Sequence, residues 1–208
     1  NGVLLQAKLK DLDYDNSNFS SYFLDIWQNR IEITINIEEC NLILIRQNPP
    51  FDLNYLGNLH LLSLTKTLVL NNPVSLMNHG EKIIPLQVLN GEYIPETLIT
   101  SSKAIVKEFF LKHQNIVIKD PWDYGGHGVI KITDLQQLED LQLEKNNKHY
   151  IVQKFLAKIT EGDTRIMMVE GKILCHMSRV PLNGDFISNL CSGGQCVTTK
   201  LSKKTKEI

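Results

Sequence analysis

The sequence predicts an α/β fold in two unequal parts, divided near residue 72, and three observations predict it. Residues 41–70 run as apolar strand, helical spacing and apolar strand; residues 116–132 run as strand, glycine loop and strand; residues 164–177 hold two apolar runs around Glu170-Gly171. The first of these orders is the βαβ unit, which lays helices on the faces of a sheet.

Taken from the N-terminal side, residues 31–39 (IEITINIEE) alternate apolar and polar character, the period of a half-buried strand. Asn41 to Ile45 then run apolar and end in Arg46. That predicts a buried parallel strand whose C-terminal end presents Arg46 and the Pro49-Pro50 turn to a crevice, where open α/β sheets bind ligands. Residues 54–65 carry helical spacing at Leu56, Leu59, Leu62 and Ser63, and Leu68 to Leu70 form the next strand. Residues 73–89 predict a helix that Pro85 interrupts, because proline removes an N–H and crowds the preceding turn.

Thr100, Ser101 and Ser102 are N-cap candidates for a helix with Ala104, Ile105, Val106, Phe109 and Phe110 on its apolar side. Lys103 falls in the first turn, against the helix dipole. Residues 116–118 have β-branched strand character, which resumes at 129–132 after Gly125, Gly126 and Gly128. Glycines let the backbone come close to a ligand, and successive N–H groups with Lys119 at the strand end suit an anion. A glycine-rich hairpin turn is the competing reading. The GK[ST] ending and following helix of a P-loop are absent from this segment. His127 within it is either a phosphate contact or an exposed turn residue.

Residues 134–141 read as a short amphipathic helix with an Asp or Thr cap, and residues 150–156 as a strand. Residues 164–169 and 172–177 form a hairpin about Glu170-Gly171, with Arg165 on the first strand and Arg179 after the second. Arginines on strands suit bidentate recognition of carboxylate or phosphate, and equally a structural salt bridge.

Composition excludes some classes. A formal net charge of −1 gives no global attraction to nucleic acid or to an anionic membrane. Lys200, Lys203, Lys204 and Lys206 read as a solvated basic terminus. No apolar run approaches the roughly 20 residues that span a bilayer, and no secretory signal opens the chain, so the expected compartment is the cytoplasm. Cys175, His176, Cys191 and Cys196 lack the paired spacing of zinc ribbons, and reduced thiols are expected instead.

Five segments in order carry a resemblance: RQNPPFD (46–52), NNPVSLMNHGEK (71–82), PETLIT (95–100), the lysine and glycine loop (116–132), and QKFLAKITEGDTRI (153–166) followed by SNLCSGG (188–194). They resemble the bacterial glutathione synthetase family of ATP-grasp ligases, whose signatures include Arg-Lys-Asp-Pro-Pro-Phe-Asp, Pro-Glu-Thr-Leu-Val-Thr and Gly-Asp-x-Arg. The resemblance implies an ATP-grasp fold preceded by a partial Rossmann-like N-terminal domain, with residues 1–72 in the latter, 73–208 in the nucleotide-binding region, and a C-terminal part missing. It implies that Lys103 and Lys119 hold nucleotide phosphates under the Gly125-Gly126 loop. Lys154, Phe155 and Leu156 would line the adenine site, with Gln153 behind and Asp163 near the ribose; a core role is the alternative for Phe155 and Leu156. Arg165 and Arg179 would stabilise the transferring phosphoryl group or a substrate carboxylate, and Arg46, Asn189, Gly193 and Gly194 would face substrate.

The implied reaction is ATP-dependent joining of γ-glutamylcysteine to glycine through an acyl phosphate, in a protein whose relatives are commonly homo-oligomers. Magnesium is implied with ATP, but the family's later Asp and Glu-x-Asn motif falls beyond Ile208, and no metal ligand is assigned in this chain. Ile187 stands where the family usually has arginine, and Ala157 where it has proline. A non-catalytic nucleotide-binding protein and a carboxylate–amine ligase with another acceptor are the alternatives.

Overall fold

The structure is a computed structural model that describes residues 2–6, 31–48, 50–88, 91–146, 148–182, 185–189, 194–203 and 205. Gly193, Pro49 and Cys191 lie outside the described residues. The chain forms two compact units, Asn1–Asn48 with Leu53–Asn78, and Pro49–Asp52 with His79–Ile208.

In the first unit β1 (Gly2–Gln6) pairs antiparallel with β2 (Ile31–Ile35). A second pair, β3 (Leu42–Leu44), then α1 (Leu53–Leu62) and β4 (Leu68–Leu70), forms the expected βαβ unit with parallel strands. On α1, Leu59 and Tyr55 are buried, four residues apart on one helix face. The strand over 41–45 is parallel as expected but not buried, because Leu42 and Leu44 stand 44% and 60% exposed. Alternation explains the split: Val69 turns inward, while Leu68 and Leu70, like Leu42 and Leu44, occupy the face left open among the described residues.

The single helix expected over 73–89 is two, α2 (Pro73–Asn78), which belongs to the first unit, and α3 (Ile84–Val88). Pro85 is not the breaker. It occupies the first turn of α3, where the missing N–H has no intrahelical acceptor to lose, and the chain leaves helical geometry earlier, from His79.

The second unit is built on β5 (Thr97–Thr100), α4 (Lys103–His113), β6 (Ile116–Lys119), β7 (Val129–Ile132), α5 (Leu135–Asp140) and β8 (Tyr150–Lys154). The strands form one antiparallel sheet in the order β5-β8-β6-β7. Ser102 takes the N-cap position of α4 without a side-chain cap bond, and Asp134 caps α5 by accepting from the Gln137 N–H at 2.9 Å. The strand expected over 150–156 ends at Lys154, so Phe155 and Leu156 lie beyond it.

Ile116 and Ile118 of β6, Ile132 of β7 and Val152 of β8 face the two helices, whose Val106, Phe109, Phe110 and Leu138 complete the core. Strand alternation turns the intervening residues the other way. Val117 and Lys119, Gln153 opposite Val117, and Val129 opposite Lys119 therefore share the opposite face.

After a short 3-10 turn, β9 (Asp163–Val169) and β10 (Lys172–Val180) form the hairpin, joined at its other edge by β11 (Gln195–Val197). β10 runs further than expected, so Arg179 lies within it, directly opposite Asp163. Among the described residues no helix is long and apolar enough to cross a membrane.

Ile118 is 1% exposed and its cross-strand partner Ile130 is 41% exposed. Ile118→Ala is expected to cost about 2–5 kcal/mol and Ile130→Ala less than about 1 kcal/mol, compared by urea denaturation.

Candidate functional site

The sheet face opposite the helices forms the floor of a cleft within the second unit. Val117, Lys119, Val129 and Gln153 rise from the strands, Pro95 borders one edge, and Gly126 enters from the loop between β6 and β7. Phe155, Leu156 and Ile159, just past β8, add an apolar wall, and Phe186, Ile187, Ser188 and Asn189 come from the segment after β10. Lys154 and Asp163 complete the lining. The cleft is thus mostly apolar with a few convergent polar groups, the composition of small-molecule sites.

Lys119 is the main charge on its floor. Its ammonium donates to Gln153 Oε1 at 2.6 Å, Gln153 Nε2 donates to Thr97 Oγ1 at 2.9 Å, and Thr97 Oγ1 donates to the Pro95 carbonyl at 2.6 Å. This chain of bonds fixes the lysine without neutralising it. Among the described residues no carboxylate stands within ion-pair distance of Lys119. Burial, and secondarily the positive charge of Lys82, hold its pKa below the ordinary lysine value. The charged form is therefore disfavoured on folding, a cost carried at neutral pH and relieved as pH rises through the lowered value. A bound anion would reverse the shift.

Asp163 is neutralised instead. Arg179 donates through Nε to Oδ1 at 2.8 Å and through Nη2 to Oδ2 at 2.5 Å, and Ser188 Oγ donates to Oδ2 at 2.7 Å. Burial would push this carboxyl up, but the hydrogen bonds from Arg179 and Ser188 more than offset it and hold the pKa below its usual value. Gly162 has φ +106°, and a Cβ there would stand 2.8 Å from the Arg179 carbonyl, so the turn into β9 admits only glycine.

The glycine loop starts at Asp120, whose N–H donates to the Gly128 carbonyl at 3.2 Å and whose carboxylate accepts from the Trp122 N–H at 2.9 Å. Gly125, Gly126 and Gly128 all have positive φ (63°, 90° and 66°). A Cβ on Gly128 would overlap the Asp123 carboxylate. His127 is exposed and meets Tyr124 edge-on at 5.8 Å.

Of the residues singled out from sequence, Lys119, Gly126, Gln153, Lys154, Phe155, Leu156, Asp163 and Asn189 share this cleft, and Gly125 adjoins Gly126. Gly194 is held beside it by its N–H to the Asn189 carbonyl, at 3.1 Å, and a Cβ there would overlap the Ser188 carbonyl. Arg165 lies exposed on β9, on the same face as Asp163. Arg179 adjoins the cleft through Asp163. Lys103 lies outside the lining, its ammonium bonded to the Glu139 carbonyl and 3.4 Å from the Glu139 carboxylate. Arg46 is exposed in the first unit. Residues not singled out as lining from sequence are Pro95, Val117, Val129, Ile159, Phe186, Ile187 and Ser188; the strand period could have found Val117 and Val129. Among the described residues no three His, Cys, Asp or Glu side chains gather into a metal cage.

Two family models match the chain: the prokaryotic glutathione synthetase N-terminal domain over residues 5–77, and the prokaryotic glutathione synthetase ATP-grasp domain over residues 81–208. The chain is 33% identical to the glutathione synthetase of Rhodopseudomonas palustris over 84% of its own length and 57% of the relative's. It is 32% identical to that of Mesorhizobium japonicum over 97% and 64%. It therefore spans about three fifths of the length of these relatives. Among solved structures, a D-cycloserine synthetase superposes with a TM-score of 0.64 at 13% identity, covering 84% of this chain and 65% of that one. A D-alanyl-alanine synthetase A from Vibrio cholerae gives 0.55 at 17% identity, covering 80% and 55%. At such identities these two likenesses show the fold alone.

Since Asp163 carries a lowered pKa, its ion pair stabilises the fold above the ordinary carboxyl value and is lost as pH falls through the folded-state value. Asp163→Asn is expected to lower stability by about 1–2 kcal/mol at neutral pH, a figure reduced for a partly exposed pair. The difference from wild type should shrink as pH falls below the ordinary carboxyl value, read from urea midpoints at stepped pH.

Proposed function

Since the chain belongs to the prokaryotic glutathione synthetase family, we propose that its cleft binds ATP and that the protein joins γ-glutamylcysteine to glycine in the cytoplasm. The observation that carries the nucleotide part is Lys119, a half-buried cation held by Gln153 and left without a carboxylate partner among the described residues, beside a glycine loop. Such a group favours an anion that arrives with the ligand.

In this reading the base lies against Phe155 and Leu156, with backbone groups near Lys154 at its polar edge and Gln153 behind. The phosphates extend toward Lys119 and the Gly125-Gly126 loop. Lys103 adds positive charge from the start of α4 once released from Glu139. Asp163 faces the ribose, held in place by Arg179. Arg165 and Arg179 meet the transferring phosphoryl group or the substrate carboxylate. Asn189 and Gly194 contribute to the substrate side.

The chemistry proceeds in two displacements. The glycyl-facing carboxylate oxygen of γ-glutamylcysteine attacks the γ-phosphorus, and the bond to the β,γ-bridging oxygen breaks to release ADP. The glycine nitrogen then attacks the acyl carbonyl, the carbon–oxygen bond to phosphate breaks, and the amine proton passes to solvent. The residues named contribute by positioning and charge rather than by a covalent intermediate on the protein.

The test is ADP release by the purified protein, expected only when γ-glutamylcysteine and glycine are both present. ATP binding without turnover would refute the ligase reading, and turnover with another amine would refute the acceptor. Lys119→Ala is expected to weaken ATP binding about tenfold or more in a calorimetric titration. Unchanged affinity would remove the loop from the nucleotide site.

A further inference from the structure

Lys82 has no part in the function proposed above, yet its side chain is tied directly to the glycine loop. It lies two residues before α3, and its partly buried ammonium donates to two carbonyls of the loop's first half, Asp120 at 2.9 Å and Asp123. The peptide after Asp120 leads into Pro121, which has no N–H, so its carbonyl is the one polar group that peptide must satisfy. The peptide after Asp123 is different. In a trans peptide the carbonyl and the following N–H point in opposite directions, so turning the Asp123 carbonyl onto Lys82 turns the Tyr124 N–H away from it.

Other contacts hold the same half of the loop. Trp122 stacks on Phe51 with ring centroids 5.6 Å apart, and Lys148 meets the Asp120 carboxylate at 3.2 Å. Beyond Tyr124 the support changes character, with Gly125 and Gly126 in positive-φ conformations and Gly126 at the cleft. Lys82 thus anchors the last peptides before the loop's glycines. It is also near enough to Lys119 for its charge to be felt there.

We propose that Lys82 is a positioning residue for phosphate binding: by holding the Asp120 and Asp123 carbonyls it sets the loop so that the Tyr124 and Gly126 amides face the nucleotide phosphates. The inference rests on the nucleotide reading of the cleft and adds a residue outside it. A phosphate-bearing ligand should feel the loss of Lys82, and a ligand with the base and ribose alone should not.

The experiment compares wild type and Lys82→Met by equilibrium titration with the non-hydrolysable β,γ-imido analogue of ATP and with adenosine. A Trp27→Phe background makes Trp122 the remaining tryptophan, so that acrylamide quenching reports the loop before any ligand is added. Lys82→Met is expected to weaken the analogue about tenfold, to change adenosine affinity less than about twofold, and to increase quenching of Trp122. Equal losses for both ligands, or no loss for the analogue, would overturn the proposal. So would loss of analogue affinity with unchanged quenching, which would mean that Lys82 touches phosphate itself. Wild-type protein that binds adenosine but not the analogue would refute the phosphate reading and this inference together, whereas analogue binding that survives in the variant refutes this inference alone. Thermal melting checks that the variant is folded, and Lys82→Ala, which likewise removes the donor, is read by the same criteria if Lys82→Met is unfolded.

Discussion

The pleat of β6 is the constraint on which the second unit depends. Its four residues alternate between two environments that have nothing in common. Ile116 and Ile118 belong to the core under α4 and α5, and Val117 and Lys119 belong to the cleft. A slip of one residue would put a lysine into the helix-packed core and an isoleucine on the cleft floor. Burial of Ile116 and Ile118 at 0% and 1% exposure makes that slip costly, so hydrophobic packing on one side of the sheet specifies the chemistry on the other. The neighbours follow: Gln153 is brought to Lys119 because Val152 is fully buried, and Val129 stands beside it because Ile132 is.

The cleft also shows how a charge is kept available. Asp163 and Arg179, directly opposite on neighbouring strands, neutralise each other through two hydrogen bonds, and Ser188 takes up a further lone pair. Lys119 has an amide oxygen instead of a carboxylate. An amide orients the ammonium without cancelling its field, so the lysine remains fixed and charged in partly desolvated surroundings. Both arrangements cost something on folding. The first is compensated within the fold, and the second is compensated when an anion binds.

Much of this was legible in the sequence where one local rule acts alone. The β-branched run at 116–118, the Asp134 cap and the Glu170-Gly171 turn each follow from residue chemistry within a few positions, and each is found. Errors arose where the outcome depends on what packs nearby. Pro85 reads as a breaker in isolation, yet the chain interrupts the helix first at His79-Gly80 and uses the proline to begin the next one. Leu42 and Leu44 read as buried because an apolar run carries no information on how many of its faces are covered. The cleft residues on β6 and β8 could be placed on one face by period, but Asp163, Phe186 and Asn189 reach it through chain reversals whose geometry no local pattern encodes. A structural salt bridge is one of the two readings of Arg179 in the sequence, but its partner Asp163, sixteen residues away, follows only from the hairpin register.

Lys103 and Lys119 make the same point about function. Each is a lysine at the end of an element, Lys103 opening α4 and Lys119 closing β6 beside the glycine loop, and the resemblance that implies a phosphate role for both does not rank them. Their surroundings do. Lys103 meets the Glu139 carboxylate and an adjacent carbonyl, so recruiting it to a phosphate means breaking an ion pair at the surface, where such pairs are worth about 0–1 kcal/mol. Lys119 need give up only a neutral amide while gaining an anion. The second exchange is the more favourable, because the Coulomb energy of the new pair is gained in partly buried surroundings and no existing charge pair is lost. Of the two lysines, Lys119 is the one the fold leaves uncompensated and better suited to an incoming anion, and Lys103 would add charge only if Glu139 released it.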